Sequence, residues 1–148
     1  MKFIVAVMAL LGIIAGGAFG ARGTVAAQVE KSQWDGVYAQ EQAKRGDELY
    51  FRNCAGCHAP DLTGGETAPA LAGGEFAANW DALTVGDIFD RIRISMPQGN
   101  PGAINRTQKA DVLAFILFKG GYPAGQEELF GQTEVLKTIA FLAQKPAK

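Results

Sequence analysis

The chain has 148 residues and a formal net charge of −1. That length suits one domain plus a targeting segment, and the charge gives no electrostatic case for nucleic acid or an anionic membrane surface. With two cysteines and one histidine in all, a four-ligand Cys/His zinc site is excluded.

Met1-Lys2 forms a short positive start, and Phe3–Ala21 follows with no charge. Val25-Ala26-Ala27 supplies small residues before Gln28. This is the pattern of a secretory signal peptide over residues 1–27. The competing reading is an uncleaved anchor, because the uncharged run approaches a bilayer span. Gly12, Gly16, Gly17 and Gly20, with the cleavage site, favour removal. Both readings keep Lys2 inside and place residue 28 onward outside the cytoplasm. Cleavage also removes Met1 and Met8, so Met96 becomes the one methionine of the exported part.

Trp34–Tyr38 reads as an irregular lead-in whose aromatics are expected on the domain surface. From about Ala39 a helical period appears in Ala43, Gly46, Leu49 and Tyr50. Gly46 in mid-helix costs about 1 kcal/mol relative to alanine, which a closely crossing backbone would explain; an exposed, tolerated glycine is the alternative. Next comes Cys54-Ala55-Gly56-Cys57-His58. Cys-x-x-Cys-His is the attachment signature of c-type haem, in which both thiols form thioethers and the histidine is the proximal ligand. A thioredoxin-like pair would need a βαβ pattern, which the sequence lacks. A structural disulfide would close a very short loop and leave His58 without a role.

Residues 59–65 carry turn chemistry, Pro60-Asp61 and then Gly64-Gly65. Phe76 and Trp80 form an aromatic cluster ahead of the next helix. Trp80 either donates its indole N–H to a haem propionate or is a core aromatic with a backbone partner. Thr84-x-x-Asp87 resembles a capping box, and Val85, Ile88, Phe89 and Ile92 mark one buried helix face. Asp87 and Arg91 are spaced to pair weakly. Arg91 and Arg93 are expected as solvated surface residues, with a propionate contact as the other reading. Pro97 disfavours helical geometry at Met96, so the helix stops near Ser95 and presents Met96 from an extended loop. A thioether held between a helix and the Pro/Gly-rich run Gln98–Gly102 is what a distal ligand needs. Asn105 and Gln108 suggest a second capping box, opening a largely buried helix that ends at Gly120-Gly121. In the tail, Leu129, Phe130, Leu136, Ile139 and Phe141 are enough to dock it on the domain. A short helix fits near Thr133–Lys137, and Gln144–Lys148 should fray.

Taken together, Gly46-x-x-x-Tyr50, Asn53–His58, Ala68–Gly73, Met96-Pro97 and the helix around Ala114–Leu117 resemble a class I cytochrome c, of the monohaem bacterial type associated with periplasmic dehydrogenases. The resemblance covers most of residues 34–123. It implies an all-α cytochrome c fold, about three to five helices around one covalent haem c with a docked C-terminal tail. The domain would span 28–148, with a core of about 40–122 and an extension over 123–148. Cys54 and Cys57 would form the thioethers, and His58 and Met96 would be the axial iron ligands. The Pro69 carbonyl would accept the His58 Nδ1–H, and Leu71 would pack on the haem. The first and last core helices would cross near Gly46 and Tyr50, with Phe115 and Ile116 as partners. The implied function is a periplasmic single-electron carrier, not an enzyme. It would take electrons from a periplasmic dehydrogenase and pass them to a cytochrome or oxidase of the respiratory chain. Alternatives are a tightly bound cytochrome subunit of a dehydrogenase complex and a haem enzyme with an open distal site. The protein would be a monomer or one subunit of a complex, bound to membrane only if the N-terminal segment is retained.

Overall fold

The computed structural model describes residues 31–147; residues 1–27, expected from the sequence to be a signal peptide, lie outside them. Helix α1 (Gln40–Asn53) and helix α5 (Arg106–Lys119) make the most extensive helix–helix contact. Between them come α2 (Ala55–His58), α3 (Gly73–Trp80) and α4 (Val85–Ser95), and a last short helix, α6 (Thr133–Leu136), follows. Local chemistry sets the boundaries. The Thr84 hydroxyl accepts the Asp87 N–H at 3.1 Å while the Asp87 carboxylate accepts the Thr84 N–H at 2.9 Å. Asn105 and Gln108 repeat the arrangement at the start of α5. At its end, the Tyr122 and Gly121 N–H groups return to the Leu117 and Phe118 carbonyls, closing the last turn with two backbone bonds.

The α1–α5 crossing depends on Gly46. A Cβ there would run into the Asp111 carbonyl oxygen and lie 2.9 Å from Phe115 Cβ. No side chain fits, so the two backbones touch. One turn later Tyr50, 1% exposed, packs its ring 5.2 Å from that of Phe115. The close-packing reading of Gly46 is the one the structure adopts.

Three features differ from expectation. The lead-in is not superficial: Ser32 caps a single 3₁₀ turn (Gln33–Asp35), and Tyr38 is fully buried, donating its hydroxyl to the Tyr122 carbonyl at 2.6 Å. The segment around Phe76 and Trp80 is a helix, α3. Its opening Gly73-Gly74 is a poor helix former, but Phe76 is buried against Phe141, 5.9 Å between rings. The fold also contains one pair of parallel two-residue strands, β1 (Lys31–Ser32) and β2 (Ile139–Ala140), which joins the lead-in to the tail.

The tail docks through polar contacts as well as apolar ones. Buried Gln42 presents its side-chain amide to the backbone of Leu129, accepting the N–H at 2.8 Å and donating to the carbonyl at 2.9 Å. Gln33 does the same with Leu142. Leu129, Leu136, Ile139 and Phe141 belong to the same hydrophobic core as α1 and α5. The anticipated Asp87–Arg91 pair does not form, because Asp87 is held in the capping box. The carboxylate at work on this helix is Asp90. It accepts from the Thr133 hydroxyl at 2.7 Å and from Arg93 Nε at 2.9 Å, with Lys137 Nζ 3.7 Å away. Burial pushes the Asp90 carboxyl up, but Thr133, Arg93 and Lys137 outweigh it and hold it below its ordinary 3.8.

Two stability measurements test this packing. At an exposed helical position, Gly→Ala would stabilise by about 1 kcal/mol. Gly46→Ala should instead destabilise by about 1–3 kcal/mol, since backbone must move to admit the methyl; thermal denaturation of the holoprotein reads the sign. A carboxyl whose folded pKa is depressed adds stability above its unfolded pKa and loses it as pH falls through the folded value. Asp90→Asn should therefore be less stable than wild type by about 1–2 kcal/mol at pH 7. The gap should close below pH 3.8, as denaturant melts across pH will show.

Candidate haem-binding site

The site begins at the C-terminus of α1, whose axis runs directly into the cysteine turn. The Cys54 N–H donates to the Tyr50 carbonyl at 2.8 Å, and the His58 N–H to the Cys54 carbonyl at 3.0 Å. Cys54 is half-buried and Cys57 exposed, and no disulfide joins them. Burial pushes the Cys54 thiol up to about 11, and the neighbouring Cys57 adds to the shift. A redox-active pair of the thioredoxin kind needs the opposite, a thiol lowered toward neutrality.

Beyond His58 the chain reverses sharply. Ala59 and Leu62 adopt left-handed backbone, at φ 63° and 66°, which is strained for residues with a Cβ. Two contacts hold the turn: the Tyr50 hydroxyl donates to the Ala59 carbonyl at 2.6 Å, and Leu62 is fully buried. Its burial pushes the Tyr50 hydroxyl up to about 12, so it stays a donor across the physiological range. Gly64 then lets residues 68–70 cross closely; a Cβ there would meet the Ala70 N–H group and lie 2.8 Å from the Ala68 carbonyl oxygen. The Leu71 N–H closes the loop on the Leu62 carbonyl at 2.9 Å.

This folding delivers the Pro69 carbonyl to His58, with Nδ1 and O 2.8 Å apart. A carbonyl only accepts, so the proton sits on Nδ1 and the lone pair on Nε2. Among the described residues Nε2 has no protein partner, although His58 is only 7% exposed. Leu71 lies half-buried against the core. Met96 stands on a separate element: its N–H donates to the Ile92 carbonyl at 3.1 Å, its backbone is extended, and its side chain is half-buried. The structure thus brings together Cys54, Cys57, His58 and Pro69; among the described residues no hydrogen bond joins Met96 to them. Trp80 packs 6.2 Å from Phe76, and its indole N–H has no protein partner among the described residues. Arg91 is exposed and Arg93 is engaged by Asp90.

One residue near the site is absent from the sequence reading. Lys109 is 3% exposed, and its Nζ donates to the Arg93 carbonyl at 3.0 Å and the Pro101 carbonyl at 2.5 Å. Its burial, with Arg93 close by, lowers its pKa from the ordinary value. A signal was present: Lys109 shares the helical face of Val112, Leu113 and Ile116, where a surface lysine does not belong.

Residues 41–116, more than half of the chain, match the family model described as "Cytochrome C oxidase, cbb3-type, subunit III". The chain belongs to this cytochrome c family. No curated protein matches it. Among solved structures, the sulfane dehydrogenase SoxCD from Paracoccus pantotrophus aligns at 22% identity with a TM-score of 0.49, covering 73% of this chain and 61% of that one. The cofactor of the family is covalently bound haem c, and the cytochrome's role is electron transfer by that haem.

The donor set fits such a group. Two cysteines not joined in a disulfide lie on one turn with an imidazole whose Nδ1 is held by Pro69 and whose Nε2 has no partner among the described residues. Replacing both Cys54 and Cys57 by Ser should leave any bound haem extractable after denaturation, whereas the wild-type chain should retain haem through denaturing electrophoresis.

Proposed function

We propose that this cytochrome is a periplasmic single-electron carrier whose haem iron is held by His58 and Met96, taking electrons from a dehydrogenase and passing them toward the respiratory chain. The reading rests chiefly on the His58–Pro69 bond, which leaves Nε2 as the only imidazole lone pair available to a metal. Residues 1–27 are read as the cleaved export signal and residues 28–148 as the mature domain, in keeping with attachment of c-type haem after export.

Bound haem supplies a one-electron ferric/ferrous couple. The chain's own part is to fix the ligands and set the polarity. The Pro69 carbonyl orients the His58 ring and raises its basicity. Met96 offers a soft thioether, which favours the ferrous state and raises the potential relative to a harder ligand. Leu71 and the adjoining core keep water from one side, which also disfavours the more highly charged oxidised centre. With His58 and Met96 both holding the iron, a substrate would find no open position on it, and the role would need no acid, base or nucleophile.

A fixed subunit of a dehydrogenase assembly is the second reading. It is favoured by Phe51 and Ile94, 66% and 62% exposed, each within three residues of Cys54 or Met96. Co-purification from native membrane and periplasm separates the two readings.

Met96→Ala should abolish the thioether-to-iron charge-transfer band and lower the reduction potential, read by near-infrared absorption and redox titration. An unchanged spectrum would remove Met96 from the ligand set.

A further inference from the structure

We infer that Lys109 is a positioning residue for Met96, clamping both stems of the loop that carries it; this rests on Met96 being the iron's thioether ligand. Lys109 projects from the second turn of α5, the helix that follows the loop. One Nζ bond goes to the Arg93 carbonyl, in the last turn of α4, where helical carbonyls lack an intrahelical donor. The other goes to the Pro101 carbonyl, on the far side of the loop. Met96 lies between these two anchors.

Among the described residues, the rest of the loop is hydrogen-bonded only to itself. The Asn100 N–H donates to the Pro97 carbonyl and the Ala103 N–H to the Asn100 carbonyl. Among the described residues, the Lys109 bond to Pro101 is the one hydrogen bond that ties residues 97–103 to another element. A lysine 3% exposed is expensive to bury, and two charge-assisted bonds to carbonyls offset that burial. The clamp lowers the freedom of the loop, so the thioether stays at the haem face instead of exchanging with external ligands.

The test is imidazole titration of the oxidised holoprotein, followed by loss of the thioether charge-transfer band. Lys109→Met keeps most of the volume and removes the donors. It should bind imidazole at least about ten-fold more tightly than wild type, the effect of losing one charged hydrogen bond. Leu117→Ala, a core truncation elsewhere on α5, should lower the melting temperature but leave imidazole affinity at the wild-type value. Equal affinities in Lys109→Met and wild type, or an equal gain in Leu117→Ala, would overturn the inference. A wild-type protein with no thioether band would instead overturn the Met96 reading itself.

A wild-type measurement stands independently of whether the variant folds. The Lys109 ammonium protons, observed by NMR, should be protected from exchange and lose that protection when imidazole displaces Met96. Protection unchanged by imidazole would show that the clamp and the ligand are uncoupled, and would overturn the inference.

Discussion

The contact on which the other arrangements depend is the backbone crossing of α1 over α5 at Gly46. Because no side chain separates the helices, Tyr50 is set against Phe115 one turn later and its hydroxyl is aimed at the Ala59 carbonyl. That bond holds the left-handed turn after His58, which the buried Leu62 reinforces. The reversal then places Pro69 on the imidazole. A single missing Cβ thus propagates through one aromatic pair and one hydroxyl to the tautomer of the candidate iron ligand.

Helix α5 also reaches the loop of the proposed second ligand. Phe115 acts through Tyr50 on the cysteine turn, and Lys109, nearly two turns earlier on the same helix, ties the loop that bears Met96. Two segments far apart in sequence are therefore referred to one rigid element. The tail completes the frame: glutamine amides on α1 and the lead-in imitate a strand edge for Leu129 and Leu142, and Phe141 fills space between Phe76 and Tyr122. Residues past 122 are part of the core in packing terms, whatever their order in the chain.

Much of this was legible from residue spacing. Cys54–His58 announces the haem, both capping boxes mark helix starts, and Pro97 stops α4 where expected, since each is a local rule that few tertiary contacts override. Gly46 was readable because a glycine in mid-helix asks for a crossing backbone. What escaped was non-local. Gln33 and Gln42 look like surface residues until a tail backbone arrives to use their amides. Helix α3 hides behind two glycines because its stability comes from Phe76 meeting Phe141, sixty-five positions away. Asp90 displaced Asp87 as the charged partner because a capping box and an ion pair compete for one carboxylate. Lys109 was hidden by the habit of assigning charge to solvent.

In the proposed site the iron would be held by the His58 imidazole, fixed by Pro69, and by the Met96 thioether, its loop tied by Lys109. Near-infrared magnetic circular dichroism of the oxidised wild-type holoprotein identifies an axial pair directly. The prediction is a single low-spin ferric species with the charge-transfer signature of histidine and methionine. A high-spin spectrum, or one characteristic of two nitrogen ligands, would contradict it.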